Sequence, residues 1–385
     1  MNLFANNERL SKRQSGVELL RIIAMLFITA HHYVLYGIIS PINGDAGNCV
    51  KEVSDLNQFI TQLFFCGGDI GVNIFFIITG YFLITQKRTN FKGVILQTVF
   101  YCAVQLIIFV TDTACFGGVF YEELSLYDKV KAFCGYLFAP ISSSRFWFAT
   151  AYILLVIVSP IYNTFLCNLN KRGFLLFTVN AFAIGVLLGT YFIYPYLGFT
   201  KAFALYAVGA FLKMHCSGIN LIDTKFKRAA CLLTFIFSVA LMAVICFLNE
   251  CNFEFMHSIV KFTTRNIVYF ILAVVSAVSS LLFFKSFDFK NKWVNLVAST
   301  TFGIYLLQEG VFNRTAIWGH IFDVVNGQFL SEHYFVYAII TIIAMFVIFS
   351  ISDLIRQIVF EPYYMKIPNY LRTRFIKNNK DICND

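Results

Sequence analysis

Residues 17–39, VELLRIIAMLFITAHHYVLYGII, decide the fold of this chain. The run is long enough to cross the roughly 30 Å hydrocarbon layer of a bilayer as one α-helix. It also carries ionisable side chains, namely Glu18, Arg21, His31 and His32. Ionisable groups in such a segment are costly, and they usually face a protein interior or a watery cavity. The stretch therefore predicts a transmembrane helix that carries a functional site.

Helical periodicity places three of these side chains near one face. The eleven residues from Arg21 to His32 rotate back to within roughly 20° and rise about 16 Å along the helix axis. Glu18 lies within about 40° of that line, whereas His31 points about 80° away. We therefore expect His31 to be structural or to contact the site indirectly. Glu18, three residues before Arg21, is placed to pair with it.

The composition of the whole chain is that of an all-α integral membrane protein. Apolar residues make up 58% of it and charged residues 13%, whereas soluble domains carry about a quarter charged residues. Apolar runs recur from end to end, which predicts about ten transmembrane helices. We place them at 17–39, 59–84, 93–111, 146–167, 174–193, 196–213, 229–248, 266–284, 293–313 and 334–355. A further apolar run at 132–141 is too short to span.

The basic residues predict the orientation and the domain organisation. Most of the 30 Lys and Arg residues fall in segments that lie on one side if the N-terminus is inside. Since cytoplasmic loops carry the excess of Lys and Arg, both termini are predicted to be cytoplasmic. The chain then consists of a cytoplasmic segment at 1–16, one transmembrane domain at 17–355 and a basic tail at 356–385. This bias in Lys and Arg accounts for the net charge of +9, so no nucleic-acid partner is needed to explain it. Membrane lipids are expected to surround the protein. The cysteines show no metal-binding spacing, so no metal is expected.

Four segments, in this order and at these intervals, resemble the acyltransferase-3 family of bacterial membrane acyltransferases. The first is Glu18-Leu19-Leu20-Arg21 with ten residues between the arginine and His32. The second is Gly71-Val72-Asn73-Ile74-Phe75-Phe76-Ile77-Ile78-Thr79-Gly80-Tyr81, which has threonine where the family usually has serine. The third is Phe146-Trp147-Phe148, and the fourth is Thr301-Phe302-Gly303-Ile304-Tyr305-Leu306-Leu307.

The resemblance implies a bundle in the bacterial cell membrane that moves an acetyl group from cytoplasmic acetyl-CoA to a hydroxyl of a glycan or lipid-linked sugar. It makes His32 and Arg21 catalytic residues, and Glu18 would hold Arg21 in place. Imidazole titrates in the range that suits a base for a sugar hydroxyl. Direct transfer and a transient acetyl-histidine are both open, as are acetyl and succinyl as the acyl group.

Further polar residues are candidates for binding the two substrates. Arg21 would hold the phosphates of coenzyme A. Arg88 and Lys92, after the second span, would assist it or would be basic only because inner loops are. Asp69 and Asn73 lie one turn apart in the second span, where they would orient His32 or the acceptor, or would instead bond between helices. Arg145 and Trp147 at the outer mouth would stack on a sugar or anchor the interface.

Two points bear on the function: Gln308 departs from the family's pattern, and a second class of protein fits the intramembrane charges. The family commonly has histidine after Tyr-Leu-Leu, but this chain has Gln308 followed by Glu309. Glutamine hydrogen-bonds but cannot move a proton as imidazole does, so no second acid–base role is expected of Gln308 itself. Glu309 would take that role or would cap an outer helix end. The alternative function is a multi-span transporter or flippase of a polar or lipid-linked sugar, because intramembrane charges and broken helices suit that class as well.

Overall fold

The computed structural model describes residues 13–39, 53–86, 91–115, 125–138, 146–191, 197–216, 224–250, 268–310 and 316–366. Across these ranges the regular structure is helical and contains no strand, as the sequence predicts. Backbone groups have no water to bond to in a bilayer, so a helix satisfies them within one segment.

The helices, in chain order, run as follows: α1 Ser15–Val34, α2 Asp55–Leu83, α3 Lys92–Cys115, α4 Leu126–Phe138, α5 Trp147–Cys167, α6 Lys171–Tyr191, α7 Leu197–Phe211, α8 Lys225–Glu250, α9 Tyr269–Lys285, α10 Lys292–Ser299, α11 Thr301–Gln308, α12 Tyr334–Ile355 and α13 Glu361–Tyr364. Shorter π-helical turns also occur, at Leu35–Ile39, Leu212–Cys216, Ala316–Ile321, Val324–Phe329 and Arg356–Phe360.

Six helical segments among the described residues are long and apolar enough to cross a membrane. They are Ser15–Ile39, Asp55–Leu83, Lys92–Cys115, Trp147–Cys167, Lys225–Phe247 and Tyr334–Tyr364. The other four predicted spans also fall on helices, among which Tyr269–Lys285 is apolar but shorter. The protein is therefore a multi-pass membrane protein, whereas the number of about ten spans is not confirmed.

The predicted span at 293–313 differs most from its expected form. It is two short helices, α10 and α11, that meet at Thr300, and α11 ends at Gln308. The Thr300 hydroxyl donates to the backbone carbonyl of Val297 at 2.7 Å and also contacts the Ser350 hydroxyl on α12 at 2.9 Å. Such side-chain bonds compete with the regular helical pattern, which explains why the helix breaks at this residue.

Helix α2 lies at the centre of the bundle because its glycines let two neighbours approach closely. A Cβ atom built on Gly71 would lie 2.5 Å from the carbonyl oxygen of Ala24 on α1. On the other side, a Cβ on Gly80 would overlap the carbonyl oxygen of Tyr206 on α7. Small residues at such contacts are the usual means of close packing in membranes. The glycines of this helix are therefore packing positions.

A buried ion pair ties the end of α12 to α3 and α11. Asp353 accepts from Arg356 Nε at 2.6 Å and from the Tyr101 hydroxyl on α3, also at 2.6 Å. Both charged side chains are buried. A Cβ on Gly303 would overlap the Asp353 carboxylate, so this glycine makes room for it. The segment predicted to be a tail from residue 356 therefore begins within a helical segment packed on the bundle.

Candidate active site

His32 lies inside the bundle, where α1 faces the end of α11. Its side chain is only 7% exposed, and its Nδ1 atom lies 2.7 Å from the amide oxygen Oε1 of Gln308. The two residues are 276 positions apart in the chain, so the contact is made by tertiary packing alone. The structure thus places His32 against the position where the family commonly has histidine.

A chain of hydrogen bonds determines which nitrogen of His32 carries the proton. The Thr29 hydroxyl donates its only proton to the carbonyl oxygen of Met25 at 2.9 Å. Its oxygen must therefore accept from Gln308 Nε2, which lies 2.7 Å away. This leaves Gln308 Oε1 facing His32, so Nδ1 is the protonated nitrogen. Nε2 is then the atom available for proton transfer.

Nε2 of His32 faces the carboxylate of Glu309. The two atoms Nε2 and Oε1 are 3.0 Å apart, and the carboxylate is buried. The Tyr36 hydroxyl donates to the same oxygen at 3.2 Å. A lone pair on Nε2 would repel a bare carboxylate at this distance, so a proton lies between them. His32 and Glu309 therefore act as one proton-sharing pair in the structure.

His31 has a different environment, as its position on the helix predicts. Its Nδ1 lies 2.7 Å from the carbonyl oxygen of Phe65 on α2, which makes that nitrogen a donor. The ring packs where a Cβ on Gly68 would otherwise stand. These contacts make His31 a packing residue between α1 and α2.

The four segments that carry the family resemblance converge in the structure. The Phe148 ring on α5 lies 5.0 Å from the ring of Phe76 on α2 and 5.0 Å from that of Tyr305 on α11. The Phe148 backbone N–H also donates to the Tyr305 hydroxyl at 3.2 Å. Since α11 also supplies Gln308 to His32, one helix joins the aromatic cluster to the histidine.

Arg21 lies near the start of α1, on the side of Glu18. Its Nη1 atom is 3.2 Å from Glu18 Oε1, and Arg13 lies 3.6 Å from the other oxygen of the same carboxylate. One carboxylate thus pairs with two guanidinium groups.

Asp69 and Asn73 do not contact His32 in the described structure. The carboxylate of Asp69 forms an ion pair with Lys201 on α7. Asn73 is fully buried, and neither polar atom of its side chain has a hydrogen-bond partner within the described ranges. Asp69 therefore bonds between helices, which is the second of the two roles predicted for it.

The remaining predicted binding residues contribute less to the site. Lys92 is exposed at the start of α3. Trp147 is 37% exposed at the start of α5, and its ring lies where a Cβ on Gly198 would stand. Arg88 and Arg145 lie outside the described residues.

Sequence reasoning missed several polar residues around His32. Thr29 and Tyr36 lie three and four residues from it, so helical spacing alone could have placed them on its face. Gln105 on α3 is fully buried beside Gly310, and its amide has no hydrogen-bond partner among the described residues. A lone glutamine within an apolar run was the available signal.

These features define a multi-pass helical membrane protein whose interior holds a polar site built on a buried histidine. The chain belongs to the acyltransferase-3 family: the profile described as an acyltransferase domain matches residues 14–355, nearly the whole chain. This confirms the resemblance seen in the sequence. No curated protein and no solved structure matches the chain in the other two comparisons.

The hydrogen-bond chain behind His32 predicts different effects for two substitutions at Thr29. In Thr29→Val the Gln308 amide loses its acceptor, which frees it to flip and favour the wrong imidazole tautomer. We expect kcat for acyl transfer to fall about tenfold, a small part of what a general base contributes. Thr29→Ser keeps the hydroxyl and should stay within about twofold of the wild type, as measured on equal amounts of folded protein. Equal kcat for the valine and serine variants would contradict the assignment.

Proposed function

We propose that the protein transfers an acetyl group from cytoplasmic acetyl-CoA to a hydroxyl of a glycan or lipid-linked sugar. Membership of the acyltransferase-3 family supports the transfer of an acyl group. The observation that carries the mechanism is the buried His32, whose Nδ1 is held by Gln308 and whose Nε2 faces Glu309. A bacterial membrane with both termini in the cytoplasm is part of the proposal.

The proposed reaction uses His32 as a general base. In the reactive form the shared proton lies on Glu309, and an acceptor hydroxyl that takes the place of Glu309 at Nε2 of His32 gives its proton to Nε2 while its oxygen attacks the thioester carbonyl. The carbon–sulfur bond breaks, and the thiolate of coenzyme A leaves with the proton returned by His32. The amide oxygen of Gln308, 2.7 Å from Nδ1, accepts a hydrogen bond from the imidazolium that forms in between.

The donor would approach from the end of α1 that carries Arg13 and Arg21. The guanidinium groups of Arg13 and Arg21 at this end are donors that suit a phosphate. Along the helix axis Arg21 is about 16 Å from His32, which leaves room for an extended pantetheine arm between phosphate and thioester.

The direct test uses membranes that contain the protein, labelled acetyl-CoA and a panel of candidate glycans. We expect label to move to a glycan while free thiol is released in equal amount. A transporter or flippase would consume no acetyl-CoA and release no thiol. Absence of both products with every glycan, for a protein that is folded and present, would contradict the proposal.

Arg21→Ala tests the donor half of the proposal. Loss of one charge-assisted hydrogen bond to phosphate should raise the KM for acetyl-CoA about tenfold, with little change in kcat. Arg172→Ala removes an exposed arginine at the start of α6 and is the matched control, for which we expect no change. An unchanged KM in Arg21→Ala would remove Arg21 from its proposed role.

A further inference from the structure

Two lysines from different helices share one buried tyrosine ring. Lys213 Nζ, in the π-helical turn after α7, lies 5.1 Å from the centroid of the Tyr81 ring. Lys285 Nζ, at the end of α9, lies 5.0 Å from the same centroid. Tyr81 itself is near the end of α2 and only 4% exposed. Three helices thus bring two ammonium groups to one aromatic side chain.

The two ammonium groups lack compensation by carboxylates. Because both distances are measured to one centroid, the nitrogens are at most about 10 Å apart. Neither lysine has a salt bridge in the part of the chain that the structure describes, although both are partly buried. By contrast, the buried guanidinium group of Arg356 forms an ion pair with Asp353. Like charges held together at a partly buried site indicate that an anion completes it.

A third cation at the same helix end has an unused donor. The Arg228 guanidinium lies 5.9 Å from the ring of Phe287, two residues after Lys285. Its Nε is buried and has no acceptor among the described residues. A buried donor without an acceptor is rare in proteins and is often completed by a ligand or water.

The cationic cluster of Lys213, Lys285 and Arg228 lies at the end of the bundle where α1 begins. The Gln14 side chain donates to the backbone carbonyl of Lys285 at 3.1 Å. Gln14 precedes His32 by eighteen residues, which corresponds to about 27 Å of helix. The cluster is therefore at the same end as Arg13 and Arg21 and far from the histidine.

We propose that Lys213 and Lys285, on the ring of Tyr81, form a phosphate-binding subsite for the nucleotide end of the acyl-CoA donor. The inference rests on the proposed function, and it adds residues that sequence reasoning did not select for donor binding. Lysine suits this role because it binds phosphate as a point charge. The cationic cluster would hold the phosphates at the end of the bundle where α1 begins, while the acyl arm extends along α1.

The test is the binding of coenzyme A itself to the purified full-length protein in phosphatidylcholine nanodiscs. We expect the double variant Lys213→Met/Lys285→Met to raise the Kd at least tenfold, because methionine keeps the apolar stem and removes the charge. The double arginine variant should bind within about threefold of the wild type. Lys225→Met/Lys290→Met, which removes two exposed lysines, should bind as the wild type does.

The outcomes separate this subsite from the proposed function. If the wild type binds coenzyme A and the methionine variant binds it equally well, the subsite is wrong and the proposed donor stands. If the wild type binds no coenzyme A, both fail. Anionic lipid is the other source of phosphate. If the variant differs only in retaining less phosphatidylglycerol after purification, the site holds a lipid headgroup and the proposal is overturned.

Discussion

Replacing His32 with alanine is expected to lower kcat for acyl transfer about a thousandfold. A positioned general base contributes roughly 10²–10⁴ to rate, and His32 is held by Gln308 on one nitrogen and faces Glu309 with the other. The measurement is thiol release from acetyl-CoA in the presence of acceptor, on equal amounts of folded protein. Activity close to that of the wild type would end the proposed mechanism.

A second substitution separates chemistry from packing at this position. His32→Gln retains an amide that hydrogen-bonds but cannot take a proton, so it should be as inactive as the alanine variant at near wild-type stability. The matched control is His31→Gln, one residue earlier on the same helix. Because His31 contacts the Phe65 carbonyl rather than Gln308 or Glu309, we expect its variant to lose less than tenfold in kcat. Equal losses in the two glutamine variants would contradict the assignment.

Replacing Asp353 with alanine is expected to destabilise the protein by about 3 kcal/mol, the lower end of the usual cost of breaking a buried ion pair, because Glu361 Oε2 still lies 2.9 Å from Arg356 Nη1. Arg356 is 4% exposed and would lose its acceptor at 2.6 Å. The Tyr101 hydroxyl would lose its acceptor as well. Thermal unfolding in detergent, together with the amount of protein in the membrane, measures the effect.

The double variant Asp353→Leu/Arg356→Leu tests whether charge is the cause. With both charges removed, no buried ion is left without a partner, and Glu361, whose side chain is 37% exposed, is solvated instead. We therefore expect at least half of the lost stability to return. Ser352→Ala is the local control, since its hydroxyl bonds only to the carbonyl of Ile348 on its own helix. A double variant as unstable as the single one would show that the pair matters through packing instead.

The helices were predictable because each depends on a contiguous apolar run. Residues 59–84 and 334–355 are long apolar segments, and the structure has helices at Asp55–Leu83 and Tyr334–Ile355. The break at Thr300 was not predicted, although Ser299, Thr300 and Thr301 interrupt the apolar run there. It depends on the contact of Thr300 with Ser350, which comes from a different helix.

The site was predictable in part. Periodicity placed His32, Arg21 and Glu18 near one face, and the structure pairs Glu18 with Arg21 at 3.2 Å. The partner of Asp69 was not predictable, because Lys201 lies 132 residues further along the chain. Spacing within one helix gives the direction of a side chain but not the helix that it meets.

The sequence by itself determined that the chain is helical, crosses the membrane and carries a histidine on a polar face of its first span. Local physics suffices for this, because bilayer thickness sets the length of each span and every backbone group must bond within its own helix. Only the tertiary structure decided that His32 is held by Gln308 and Glu309. Contacts between residues so far apart depend on the rotation and spacing of packed helices, which small residues such as Gly71 and Gly80 set.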